Sequence, residues 1–184
     1  MEETSGERRR GLFWMKVLIL GPPGSGKGTE AALLASTFHL KHVSVGELLR
    51  KEAKKNKDIR DVIERGDLLS DKESFAVVKK YLPEDDFILD GFPRTFSQIK
   101  LFDTFMKVDF VLYLDTDDDE VVRRLLLRGR KDDTEEVVRH RLWIYHQETK
   151  KILSFYKKKV LRVDGNAFIP EVFQELCEKM RERL

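Results

Sequence analysis

The chain has 184 residues, room for one hydrophobic core rather than two domains. Charged residues make up 37% of it, yet the formal net charge is only +2. Acids and bases are interspersed, which excludes a global field for nucleic acid or a membrane surface. A single cysteine, Cys177, excludes an internal disulfide and points to the cytoplasm. No apolar run approaches the ~20 residues of a membrane-crossing helix. At the N-terminus, Arg8-Arg9-Arg10 precedes Gly11-Leu12-Phe13-Trp14-Met15, the outline of a signal peptide. Lys16 interrupts that run, and cleavage there would destroy the loop that follows. Residues 1–14 therefore read as an extension, a flexible arm or an oligomer contact, ahead of a single domain over 15–184.

Strand-like and helix-like runs alternate from residue 17 onward. A buried strand is predicted over 17–20 and a helix over 30–38. A short strand follows at 42–45, then helices over 46–56, 58–65 and 72–81. Residues 87–89 read as a strand ending at Asp90, 98–106 as a helix, and 110–114 as a strand. Two long helices, 117–128 and 134–156, precede a last strand at 160–163 and a closing helix at 170–183. Apolar strands alternating with helices indicate an α/β fold, a parallel sheet covered on both faces. Ligands of such sheets bind beyond the carboxyl ends of the strands.

The first strand runs into Gly21-Pro22-Pro23-Gly24-Ser25-Gly26-Lys27-Gly28-Thr29, and a helix follows. Strand, glycine-rich loop and helix cradle phosphate. Backbone N–H groups crowd round the anion, the helix N-terminus adds positive dipole, and Lys27 adds a full charge. The loop departs from G-x-x-x-x-G-K-[ST] in one place: Gly28 takes the hydroxyl position and Thr29 comes one residue later. Asp90, at the end of a buried strand, is placed to hold Mg²⁺ directly or through water. Arg50, Arg94, Arg124, Arg128, Arg130 and Arg141 form a set larger than one triphosphate requires, with Glu135 and Glu136 as candidate surface partners. Two phosphorylated substrates meeting head to head would use that set. His39, His42, His140 and His146 lie in no metal-ligand spacing and read as surface or helix-packing residues. Phosphoryl transfer between two phosphates needs no strong base, because the acceptor oxygen is already anionic.

Taken together, these residues resemble the adenylate kinase family of nucleoside monophosphate kinases. The matching segments are 21–29, 43–50, 66–71, the run Asp90-Gly91-Phe92-Pro93-Arg94-Thr95-Phe96-Ser97-Gln98, 124–128, 130–133, Arg141-Leu142 and 163–166. The resemblance implies a P-loop fold of three α/β/α layers. It also implies a small helical segment over about 44–73 that binds the monophosphate, and a lid over about 129–139. The implied reaction is reversible and uses Mg²⁺: NTP + AMP to NDP + ADP. By position, Gly24, Ser25, Gly26, Lys27, Gly28 and Thr29 would hold the donor phosphates. Arg124, Arg130 and the backbone near Asn166 and Ala167 would meet the donor, and Asp90 would anchor waters on Mg²⁺. Lys27, Arg94, Arg128, Arg130 and Arg141 would act on the transferring group. Val45, Arg50, Leu69, Gly91, Arg94, Gln98 and Arg141 would hold AMP.

Two positions depart from the family pattern. Val45 stands where adenylate-specific members carry Thr, and uridylate/cytidylate kinases carry Ala there. Gln98 offers an amide to the adenine edge and favours AMP, so UMP/CMP kinase is the alternative. The lid has only Arg130 and Lys131 between Gly129 and Asp132, with no four-cysteine zinc site. So short a lid predicts relaxed choice of NTP donor. The family's short form is usually monomeric. Two rival functions stay open: a kinase for an alcohol acceptor with Asp90 as base, and a nucleotide-binding switch without turnover.

Overall fold

The computed structural model describes residues 15–183. The extension expected over residues 1–14 lies outside them. In chain order the elements are β1 (Lys16–Leu20), α1 (Lys27–Phe38), β2 (Lys41–Ser44), α2 (Val45–Ala53), α3 (Lys57–Glu64) and α4 (Asp71–Tyr81). They continue with β3 (Phe87–Asp90), α5 (Phe96–Phe105), β4 (Phe110–Asp115), α6 (Asp118–Arg128), α7 (Glu135–Phe155), β5 (Val160–Asp164) and α8 (Ile169–Arg181). The five strands form one parallel sheet in the order β2-β3-β1-β4-β5. Register sets Ile19 beside Asp90 and Leu112, so the ends of β1, β3 and β4 open at one edge.

The central strand shows why the sheet needs cover on both faces. Side chains alternate along a strand, so Val17 and Ile19 point one way and Leu18 and Leu20 the other. Val17 and Ile19 pack with Leu34 of α1 and Leu176 of α8. Leu18 and Leu20 pack with Val78 of α4, Phe102 of α5 and Ile152 of α7. Leu18 and Ile19 are fully buried, worth roughly 2 kcal/mol each. A smaller cluster of Val121, Leu125, Val138 and Leu142 joins α6 to α7.

Two elements differ from the sequence reading. Helix α1 starts at Lys27 rather than Glu30, because Gly26 takes the cap in a left-handed conformation, φ 94°. Val45 opens α2 instead of closing β2, with Ser44 as its N-cap. Its branched side chain reads as strand locally, but it is buried in the core beneath the helix.

Candidate active site

Connections from β1 and β3 leave on opposite faces of the sheet, α1 on one and α5 on the other. They open a crevice where such sheets bind ligands. A cavity of about 570 Å³ lies there. Its floor is the glycine-rich loop. Gly26 caps α1 without a side-chain bond, and its φ of 94° suits glycine. The first N–H groups of a helix have no intrahelical acceptor, so this end faces the cavity with free donors. Gly24 has φ +83°, and a Cβ there would lie 2.7 Å from Leu125 Cγ, so the loop rests directly on α6.

Lys27 Nζ donates to Pro22 O at 2.6 Å and lies 3.4 Å from Ser25 Oγ. Desolvation pushes its pKa down to about 8; Asp90 pulls it up, and Arg94 and Arg128 push it further down. Asp90 is 8% exposed, and its Oδ2 accepts from Ser44 Oγ at 3.1 Å. A Cβ on Gly28 would lie 3.5 Å from the same oxygen. The Asp90 carboxylate therefore sits beside the first turn of α1. Among the described residues no three His, Cys, Asp or Glu side chains gather as a metal cage. Asp90 offers one carboxylate, which suits an ion such as Mg²⁺ that keeps phosphate and water ligands.

The arginines converge from three helices, α2, α6 and α7, and from the loops after β3 and α6. Arg50 of α2 and Arg94, after β3, both reach Gly46: a Cβ there would lie 3.4 Å from Arg50 Nη1 and 3.7 Å from Arg94 Nη2. Arg94 Nε donates to Gly91 O at 2.9 Å. Burial lowers the pKa of both groups, but a guanidinium stays charged. Arg124 donates to Gly165 O at 2.8 Å and Asn166 O at 3.3 Å, tying α6 to the loop after β5. Arg128 grips Asp133 with both arms, at 2.8 and 2.7 Å. Arg141 pairs with Asp132 and, at 3.3 Å, with Asp133. Burial pushes the Asp133 carboxyl up, but hydrogen bonds and charge from Arg128, with Arg141, outweigh it and hold it low.

Gln98 is 1% exposed at the base of the cavity. Its Oε1 accepts the Arg94 N–H at 2.7 Å, so the amide nitrogen is the group left to donate. Val45, Leu49, Leu69 and Phe92 form an apolar wall beside it.

Gly24, Gly26, Lys27, Gly28, Thr29, Val45, Arg50, Leu69, Asp90, Gly91, Arg94, Gln98, Arg124, Arg128, Arg130 and Arg141 all line this one cavity. Ser25 is buried beneath the loop, and Asn166 and Ala167 lie outside the wall. Glu135 pairs with Arg139 and not with the site arginines; Glu120 holds Arg124, and Asp132 and Asp133 hold Arg128 and Arg141. The Asp132-Asp133 pair was visible two residues after Arg130, but its targets lie on two other turns of helix. Tyr145 and Thr149 of α7 also line the cavity, brought in by tertiary packing.

A family model described as adenylate kinase matches residues 19–161. The chain belongs to the adenylate kinase family. It is similar to the adenylate kinase of Prochlorococcus marinus subsp. pastoris, 43% identical over 179 residues, 89% of this chain and 96% of that protein. It is 39% identical to the adenylate kinase of Thermobifida fusca over 188 residues, 92% of this chain and 100% of that one. It is 38% identical to adenylate kinase 1 of Nostoc sp. over 176 residues, 88% of this chain and 96% of that one. Membership of the adenylate kinase family makes the chain a phosphotransferase of the nucleoside monophosphate kinase type. No described helix is long and apolar enough to cross a membrane.

Proposed function

We propose that the chain transfers a phosphoryl group reversibly between nucleotides, NTP + AMP to NDP + ADP, with Mg²⁺. The observation that carries this reading is the convergence of Lys27 and six arginines on one cavity whose described wall contains no His or Cys. So much fixed positive charge suits two phosphorylated ligands, and an anionic acceptor oxygen needs no base. Donor phosphates would lie on Gly24, Gly26, Lys27, Gly28 and Thr29, with Ser25 shaping the loop from below. The donor base would lie by Arg124 and the backbone of Asn166 and Ala167. The AMP phosphate would meet Arg50 and Arg94, and its base would lie against Val45 and Leu69 under the Gln98 amide. An AMP phosphate oxygen attacks the γ-phosphorus while the bond from that phosphorus to the β-phosphate oxygen breaks. Arg128, Arg130 and Arg141 would neutralise the charge carried across. Asp90 would hold Mg²⁺ through its water ligands, and the ion would supply positive charge to the donor phosphates.

On this reading residues 44–73 bind the acceptor, 129–139 form the lid, and the protein works as a cytoplasmic monomer. UMP or CMP as acceptor is the second reading, favoured by the absence of a hydroxyl at Val45. The test is steady-state transfer from Mg²⁺ATP to AMP, CMP, UMP and GMP offered separately. Transfer chiefly to AMP supports the proposal. Transfer chiefly to CMP or UMP replaces the acceptor, and transfer to none of them leaves the switch or alcohol-kinase reading.

A further inference from the structure

Residues 63–67 meet helix α7 at three adjacent points. A Cβ on Gly66 would lie 2.9 Å from Val137 Cγ1 and 3.2 Å from Arg141 Cγ, so the approach is as close as glycine allows. Arg141 Nη2 donates to Ile63 O at 3.2 Å. Beside them His140 Nε2 and Asp67 Oδ1 lie 2.8 Å apart. The other Asp67 oxygen accepts from Arg65 Nε at 3.0 Å. The His140 ring stacks on Trp143, centroids 6.2 Å apart at 11°.

The hydrogen bond from His140, then that from Arg65, holds the Asp67 carboxyl below the usual range. Other charges near His140 are accounted for. Arg139 pairs with Glu135, Arg141 is held by Asp132 and Asp133, and Glu136 lies one turn earlier on the same helix. From the facing segment, Asp67 and Arg65 are the charged groups at the contact.

We propose that His140 is a positioning residue whose contact with Asp67 holds the acceptor-binding segment against α7. This rests on the reading of residues 44–73 as the acceptor segment. The two side chains are 40% and 39% exposed, so solvent and salt screen the charge and the effect is modest. It falls on the acceptor, because Asp67 lies within the segment read as binding it.

The test is KM for AMP and for ATP in wild type, His140→Ala, His140→Lys and Asp67→Asn. His140→Ala and Asp67→Asn should each raise KM for AMP about two- to fivefold, as expected for a half-exposed contact to a carboxylate. Combining them should add nothing. His140→Lys, which restores a donor to Asp67, should keep KM for AMP low. KM for ATP should not move. A His140→Lys variant that behaves like His140→Ala, effects that add in the double variant, or equal shifts for AMP and ATP would reduce His140 to packing and overturn the proposal. Wild type that transfers nothing to AMP would overturn the functional reading, and this inference with it.

Discussion

Glu30 lies in the first turn of α1, only 2% exposed, and its Oε2 has no hydrogen-bond partner. Burial pushes its carboxyl up from 4.5 to about 7, even though a helix N-terminus favours the charged form. The folded state thus prefers the proton more than the unfolded chain does. The stabilisation is complete below pH 4.5, declines as the unfolded carboxyl ionises, and is gone above pH 7. At 1.36 kcal/mol per pH unit, the loss is about 3 kcal/mol over the whole window and about 2.5 kcal/mol between pH 5 and pH 8. Glu30→Gln removes the titration but leaves a buried polar group, so its absolute stability decides little. The informative quantity is the difference between variant and wild type at each pH. Urea unfolding followed by circular dichroism at pH 5, 6, 7 and 8 should show the variant gaining about 2.5 kcal/mol on wild type. At pH 8 that corresponds to a melting point higher by roughly 5–10 °C relative to the pH 5 comparison. A difference that stays constant within about 0.5 kcal/mol from pH 5 to 8 would refute the reasoning.

Donor affinity should fall above pH 8, where Lys27 loses its proton in the free protein, while phosphate binding favours the charged form. Isothermal titration of a non-hydrolysable NTP from pH 7 to 9.5 checks this, and Lys27→Met should flatten the profile and cut kcat roughly a hundredfold or more. Asp133→Asn leaves Arg128 and Arg141 without their shared carboxylate. It should cost about 3 kcal/mol in unfolding experiments and lower kcat at least tenfold. If 129–139 form the lid, with only Arg130 and Lys131 between Gly129 and Asp132, GTP, CTP and UTP should support turnover within about tenfold of ATP; a hundredfold preference for ATP in initial-rate assays would refute this.

The strands were legible because each is a short apolar run, and 110–114 and 87–89 fall within one residue of β4 and β3. The start of α1 was not, because three glycines between Gly24 and Gly28 mask a helix that opens at Lys27. The glycine-rich loop, Asp90 and the six arginines were legible as residue types, and they share one cavity. Their partners were not. Glu135, read as a candidate partner of the site arginines, instead pairs with Arg139 four residues on, the i, i+4 spacing of its own helix. Such spacing says nothing of Ser44 reaching Asp90 across 46 residues or Asp67 reaching His140 across 73, since only the sheet order and the α3–α7 contact bring them together. Gln98 was read as offering its amide to a base edge; the N–H of Arg94 takes its carbonyl oxygen, a local contact that the residue type alone does not show, and leaves the amide nitrogen.

Asp132 and Asp133 give the arginine cluster its own resident anions. At Arg128 and Arg141 an arriving phosphate would meet guanidiniums that are already paired, so binding there would be an exchange of one counter-ion for another rather than a capture by bare charge. A lone inorganic anion gains little from such an exchange. A nucleotide brings a second handle, its base, and so tips the balance. The two carboxylates would thereby favour phosphate attached to a base over small inorganic anions at this part of the cavity.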